Sequence, residues 1–418
     1  MNRNLYSLLG YMMLPFSLVR LLFKSINNPN YRQRIAERLA IIVNVPVPII
    51  WVHCVSVGEL KAATVLIDQL IDNHPDHRVL VTSTTPTGSR AVTQYFQQRV
   101  LHFYFPYDVP IIVNRYINKI NPSICILLET EIWPNLIHSL NKKEIPVMLV
   151  NARLSERSLS KYQRFAKKLS EKTLNQLTLI AAQNINSAKR FIELGASKEK
   201  VLAAGNIKFD QKLITDISTT KEISAFVNKP NVIVFASTHR GEESKIIRSY
   251  IDNKESLKDS LLVIIPRHPE RFNEVYKLAK KNKLNVVKRS SNKPEKDAQI
   301  LLGDSMGEMM SYFKVCDIAF IGGSLNNTGG HNMLEPAALS KPIIFGPNVF
   351  NFSEISSSLV SQNAAIQVKN EGELFVVIKR LIDNKQEMQE LGKNAHKFFS
   401  QQKGASKLIS DRIKSLLQ

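Results

Sequence analysis

The chain has 418 residues, 44% of them hydrophobic, which excludes a disordered chain and a single small domain and suits two or three domains. Its formal charge of +20 points to an anionic partner: nucleic acid, a membrane surface or a phosphorylated substrate. Three cysteines, Cys54, Cys125 and Cys316, each in or near an apolar run, make neither a disulfide framework nor a metal cluster and indicate a reducing compartment.

The N-terminal stretch "NLYSLLGYMMLPFSLVRLLF" is apolar and carries one charge, Arg20. No small-residue cleavage site follows, and Lys24, Arg32, Arg34 and Arg38 come soon after, which argues against a secretory signal. The stretch is marginally short of the roughly 20 apolar residues that cross a bilayer. Its basic flank would stay cytoplasmic. Residues 1–25 therefore read as a membrane anchor, spanning the bilayer or lying in its interface. The alternative is a helix buried in the core.

Beyond residue 45, strand-length apolar runs at 48–55, 79–83, 123–128, 146–150 and 178–182 alternate with helical patterns such as "GELKAATVLIDQLIDN". Alternation of this kind predicts a parallel sheet covered on both faces, in a domain over 26–210. The polar stretch "QKLITDISTTKEISAFVNKP" reads as a linker over 211–230. The alternation then restarts with "NVIVFAST", "SLLVIIPR", "LNVVKRS", "AQILLGD", "CDIAFIGG", "KPIIFGP" and "AAIQV", in a second domain over 231–418 whose last helix could pack back on the first. Two doubly wound, Rossmann-like α/β domains in series, facing a cleft, make the GT-B architecture of glycosyltransferases. Ligands of such sheets bind beyond the carboxyl ends of the strands.

Polar clusters stand at those ends. In the first half they are "SVGE" with Glu59, "TSTTPTGSR", "ETEIWPN" with Glu129 and Glu131, and "NARLSERS". Any one of them could be plain helix capping. Four on one edge of a sheet point to a site. Which of Glu129 and Glu131 faces it stays open. A helix N-terminus is expected to keep Glu59 ionised.

The second half carries "IIPRHPERF", "GDSMGEMMSYF" and "IGGSLNNTGGHNMLEPAALSKP". Glycine-rich turns feeding a helix present free backbone N–H groups to an anion, and an acid one turn on can accept from a ribose hydroxyl. By composition this is a nucleotide-phosphate site. There is no GxGxxG and no GxxxxGK[ST], so neither a dinucleotide fold nor a P-loop is supported. Without HExxH, CxxC or Asp-x-Asp, no catalytic metal is indicated.

Taken together, "WVHCVSVGE", "ETEIWPNL", "NARLSERS", "GNIKFD", "IIPRHPERF", "GDSMGEM" and "FIGGSL…GGHNMLEPAA" resemble, in family order and over nearly the whole chain, the motifs of the 3-deoxy-D-manno-octulosonic acid (Kdo) transferases of lipopolysaccharide synthesis. The resemblance implies an inverting transfer of Kdo from CMP-Kdo to a lipid A precursor, lipid IVA, at the cytoplasmic face of the inner membrane, with no cofactor. It places the catalytic base at Glu59 and transition-state stabilisers at Glu129 and Lys208. It places the CMP site at Arg267 and His268, at Met306, Gly307 and Glu308, and at Asn332, Met333, Leu334 and Glu335. Here "HNMLEP" stands where many members have Asn-Pro before the Leu-Glu.

Two competing readings are another GT-B enzyme, a UDP-sugar transferase or epimerase, and a membrane-tethered nucleic-acid binder. The second needs basic residues interleaved with aromatics on a strand face, whereas the aromatics here sit in apolar runs. In "RLSERSLSKYQRFAKKLSEK", Leu159, Tyr162, Phe165, Ala166 and Leu169 share one helical stripe beside Arg164, Lys167 and Lys168. That helix reads either as core-packed with a solvated basic face or as a membrane-facing surface.

Overall fold

The computed structural model describes residues 1–211, 213 and 215–417. Two compact units divide the chain: Met1–Lys212 with Gln402–Gln418, and Leu213–Gln401. The expected linker over 211–230 includes positions 212 and 214, which lie outside the described residues. Within the rest of it a helix forms over Ile217–Ser224, capped by Asp216.

The first unit holds seven parallel strands: β1 (Ile49–His53), β2 (Arg78–Ser83), β3 (Leu101–Tyr104), β4 (Pro122–Leu128), β5 (Val147–Ala152), β6 (Leu179–Ala182) and β7 (Val201–Ala203). Their order is β3-β2-β1-β4-β5-β6-β7. β1 is central and wholly buried, because both faces of a parallel sheet are covered. Trp51, Leu80, Cys125, Leu127 and Leu149 fill one face. Ile50, Val52, Val81, Ile126 and Val150 fill the other, against the helix Val57–Asn73 and the last helix of the chain, Ala405–Leu417. Asp210 holds that last helix in place: its two carboxylate oxygens accept from Gly404 N and Ser406 N, each at 2.6 Å.

The sequence pattern misses two strands, and both lie at the edges. β3 is half-exposed over its first three residues and interrupted by His102, and β7, with three residues, is too short a run to stand out.

The second unit repeats the plan with β8 (Asn231–Thr238), β9 (Ser260–Pro266), β10 (Val286–Lys288), β11 (Ile300–Leu302), β12 (Ile318–Ile321), β13 (Ile343–Phe345) and β14 (Ile366–Gln367). The order is β10-β11-β9-β8-β12-β13-β14, again all parallel. A bulge near the end of β8 puts Ser237 in the left-handed region, at φ 57°.

Ahead of the first sheet, a 25-residue helix runs over Arg3–Asn27, about 37 Å long at 1.5 Å per residue. Its first half docks on the unit along one narrow face, and Lys24 near its end lies over the Tyr31 ring at 5.2 Å. The Ser7 hydroxyl donates to Asn135 Oδ1 at 2.7 Å, Gly10 lies against Val109, and Leu14 joins the core. Asn135 belongs to the helix Pro134–Lys142, whose first N–H groups are capped by Asp108 (Asn135 N at 3.1 Å, Leu136 N at 2.8 Å). Burial pushes the Asp108 carboxyl up to about 6, opposed by those backbone donors and the Tyr6 hydroxyl. Leu8, Met12, Phe16, Phe23 and Ile26 are exposed. This is the one helix among the described residues long and apolar enough to cross a membrane.

The expected apolar stripe of "RLSERSLSKYQRFAKKLSEK" does not form one face. Its helix, Glu156–Leu174, is broken at Ala166 (φ −139°, ψ 17°). Leu159 and Leu169 are buried, whereas Phe165 is 65% exposed between Arg164 and Lys167.

Deleting residues 2–24 removes the hydroxyls that face Asn135 and Asp108. The truncated chain should fold, because the sheet begins at residue 49, but should lose about 1–3 kcal/mol of stability for buried polar groups left unpaired. Chemical denaturation of both forms measures it; equal midpoints would mean that the helix is not docked in solution.

Candidate active site

In the first unit the site is built where β1, β4 and β5 end. Ser56 caps the helix Val57–Asn73, its hydroxyl accepting from Glu59 N at 3.3 Å. The Glu59 carboxylate reaches back to Val55 N at 2.7 Å and takes the Ser56 hydroxyl at 3.2 Å. This reciprocal pairing resembles a capping box, with the carboxylate reaching the N–H one residue before the cap, and it explains a glutamate in a turn that a glycine or asparagine could have made. The helix end does not, however, keep Glu59 ionised as the sequence leads one to expect. Burial, with the charges of Glu129 and Glu131 adding to it, pushes the carboxyl up to about 7 against the donors from Val55 and Ser56. Desolvation outweighs the capping hydrogen bonds.

Both glutamates of "ETE" therefore act on Glu59. β4 ends at Leu128, and Glu129 is left-handed, at φ 54°. Glu129 pairs with Lys208 Nζ at 3.2 Å. Glu131 accepts from Trp133 Nε1 at 2.9 Å and lies 3.8 Å from Nε2 of the wholly buried His53, which has no other partner on that nitrogen among the described residues. The other nitrogen of His53 meets Thr82, and its ring stacks on Phe105 at 3.7 Å.

Lys208 is brought to the cluster by side chains to which the sequence reading gave no role. Asn151, fully buried and left-handed at φ 52°, accepts from Ile207 N at 3.2 Å. Gln183 donates to Asn151 O at 2.9 Å and accepts from Asn206 at 3.3 Å. Asn206 caps the short turn Ile207–Asp210 by accepting from Lys208 N at 3.0 Å. Asn151 follows a buried strand in "LVNARLSE", which is the signal that could have revealed it: a buried asparagine needs partners.

In the second unit a different carboxylate organises the strand ends. Glu242 is 0% exposed and accepts four backbone N–H bonds, from His239 at 2.9 Å, Gly323 at 2.7 Å, Ser324 at 3.0 Å and Leu325 at 2.9 Å. It pins the loop after β8 to the glycine-rich turn after β12. Beside it, buried Glu243 accepts from Thr238 and forms a bidentate pair with Arg271 (2.6 and 3.2 Å). Neither acid was singled out from the sequence, although the "HRGEES" segment follows β8 directly.

Arg267 and His268 leave β9 exposed. They come together with the glycine-rich turn through His239, whose ring meets His268 edge-on and lies parallel to that of His331, nitrogen to nitrogen. Asn332 accepts from Leu334 N at 3.1 Å. Met333 and Leu334 are buried, so only their backbones can face a ligand. Glu335 is half-buried on the short helix Leu334–Ala338. Glu308 has a separate set of partners: Arg289 at 3.3 Å and the Ser305 hydroxyl. Met306 is exposed, and Gly307 is left-handed at φ 85° with open space around it. Among the described residues, no three His, Cys, Asp or Glu side chains are grouped to hold a metal ion.

The model of a family described as "3-Deoxy-D-manno-octulosonic-acid transferase (kdotransferase)" matches residues 33–211. A 3-deoxy-D-manno-octulosonic acid transferase of Haemophilus influenzae is 39% identical, over 100% of this chain and 99% of its own length. One from Rickettsia felis is 34% identical, over 84% of this chain and 75% of its own. A putative UDP-N-acetylglucosamine 2-epimerase from Listeria monocytogenes, 14% identical, shares the fold, with a TM-score of 0.61 over 89% of this chain and 96% of that one.

Glu242→Gln keeps the shape but loses the charge and one acceptor oxygen, orphaning buried N–H groups of the turn. A loss of at least about 2 kcal/mol is expected, read as a lower midpoint in denaturant; an unchanged midpoint would show that the four bonds carry no stability.

Proposed function

Because the chain belongs to the 3-deoxy-D-manno-octulosonic acid (Kdo) transferase family, and is therefore a glycosyltransferase, we propose that it moves Kdo from CMP-Kdo to a lipid A precursor, lipid IVA, with Glu59 as the base. The observation that carries the base assignment is the Glu59 carboxyl pushed up to about 7 beside Glu129 and Glu131. A base works best when its pKa lies near the operating pH.

In the proposed step a hydroxyl of the acceptor attacks the anomeric carbon of Kdo. The new C–O bond forms as the bond from that carbon to the phosphate oxygen breaks. The hydroxyl proton goes to Glu59, and CMP leaves with the electron pair. Inversion follows from attack opposite the leaving group. Glu129 and the Lys208 ammonium it holds then face the charge that develops in the transition state. Arg267, His268 and the backbone of the turn ending in "HNMLEP" would take the phosphate, and Glu335 a ribose hydroxyl, as the family resemblance implies.

The acceptor and the +20 charge fit together. Each basic residue near an anionic membrane adds about 1 kcal/mol of attraction. The Arg3–Asn27 helix supports attachment at the cytoplasmic side of the inner membrane, with its exposed apolar side in lipid. Its first half is docked on the protein at Ser7, Gly10 and Leu14. What remains beyond Leu14 reaches about 20 Å, short of the hydrocarbon core of about 30 Å, which favours an interfacial anchor over a span.

Glu59→Gln should lower turnover by about 10²- to 10⁴-fold, the usual worth of a positioned base. The base must be deprotonated to act, so wild-type kcat/KM should rise with pH through about 7 and level off above it. Glu129→Gln removes one of the charges that raise Glu59, so the limb of its residual activity should move to lower pH. Near-normal turnover of Glu59→Gln, or a limb that stays in place in Glu129→Gln, would end the assignment.

The transfer is also expected to need no divalent ion. Rates measured in EDTA should match those in magnesium; a rate restored only by added metal refutes this.

A further inference from the structure

The glycine-rich turn of the second unit carries an arrangement that the proposed transfer does not use. His239 Nε2 and His331 Nε2 lie 2.7 Å apart, with the ring planes 5° from parallel and the centroids 5.0 Å apart. The two rings rest directly on Gly323. A Cβ there would come within 3.1 and 3.2 Å of the His331 ring and 3.5 Å of His239, at a φ of +69°.

Two ring nitrogens at that separation share one proton: one donates and the other accepts. Such a pair can gain a single proton, on the far nitrogen of the donor ring, and keep the contact. A second would set two N–H groups against each other.

The groups facing the pair are mostly positive. Arg267, His268 and Arg271 come from the segment after β9. Two acids lie on the segment of His239 itself, but both are taken: Glu242 by four backbone N–H groups, and Glu243 by Arg271 and Thr238. Burial and these cations hold His331 down to about 4 and His239 below the usual imidazole range. Empty, the pair is neutral at pH 7. An anion set beside Arg267 reverses the local field and favours the charged form.

We propose that the His239–His331 pair is a proton-coupled receptor for the donor's phosphate: the nucleotide binds with uptake of one proton onto the pair. This rests on the reading of the second unit as the nucleotide site. The proton has a use in the reaction. A sugar-linked phosphate carries one negative charge, and the released nucleotide approaches two near neutral pH. A charged imidazole N–H beside it would stabilise the charge that develops as the sugar departs.

The test uses the full chain and cytidine 5′-methylphosphate, a phosphodiester whose single charge does not change between pH 5.5 and 7.5. Calorimetry in two buffers of different ionisation enthalpy counts the protons taken up. Wild type should take up between about 0.3 and 1 proton at pH 6, and its affinity should weaken about three- to thirty-fold from pH 5.5 to 7.5, since each bound proton changes affinity tenfold per pH unit. His239→Gln and His331→Gln should each abolish the uptake and flatten the pH dependence while still binding. Binding by wild type without proton uptake overturns the proposal and leaves the nucleotide reading intact. So does uptake that persists in both variants and disappears in His268→Gln. If neither cytidine nor its methylphosphate binds to the wild-type chain, the nucleotide reading falls and the proposal with it.

Discussion

A parallel sheet aligns its strands in one direction, so every loop that follows a strand emerges along one edge. That constraint places the polar segments of this chain. Val55-Ser56 and Glu129 follow the ends of β1 and β4, and Asn151 sits at the end of β5, far apart in sequence and adjacent at the sheet edge. In the second unit, β8 and β12 end in His239 and Gly322 in the same way. Backbone N–H groups freed at such edges need acceptors. The acceptors here are the Glu59 carboxylate for Val55, the Glu129 backbone carbonyl for Arg153, and the buried Glu242 carboxylate for the glycine-rich turn.

The price of that solution is charge taken out of water. Glu59 shows how it is balanced. Its capping bonds favour the carboxylate, and burial beside two further glutamates favours the acid. Burial is the larger effect and brings the carboxyl to about 7, which leaves a group able both to accept and to release a proton near neutral pH. Glu242 sits deeper but has four backbone donors, and its carboxyl still lies above the usual range, burial being the larger effect. A carboxylate with that many fixed donors is a structural fastener. Glu59, with fewer, remains available for chemistry.

The left-handed residues mark the same edges. Glu129, Asn151 and Ser237 are non-glycine residues with positive φ, each at or just beyond a strand end of the two central regions. Such conformations cost of order 1 kcal/mol or more and persist where surrounding contacts over-determine them. Asn151 has those contacts through Ile207 and Gln183, and Glu129 through Lys208 and Val150.

Much of this was legible in the sequence. Buried parallel strands read as continuous apolar runs, so the central strands of both sheets and the punctuation after them could be placed from pattern alone, as could the apolar N-terminal helix. Edge strands β3 and β7 could not, because His102 interrupts the first and the second is only three residues long. The motifs located Glu59, Glu129, Lys208 and Arg267, and the family they belong to. Partners were beyond their reach. That Glu131 meets His53, that Asp210 holds the last helix, that Glu242 ties two distant loops and that His239 meets His331 all depend on contacts between residues remote in the chain. The raised pKa of Glu59 belongs to the same class. Residue type fixes which groups can ionise, whereas desolvation and neighbouring charge, which exist only once the chain has packed, decide at what pH they do.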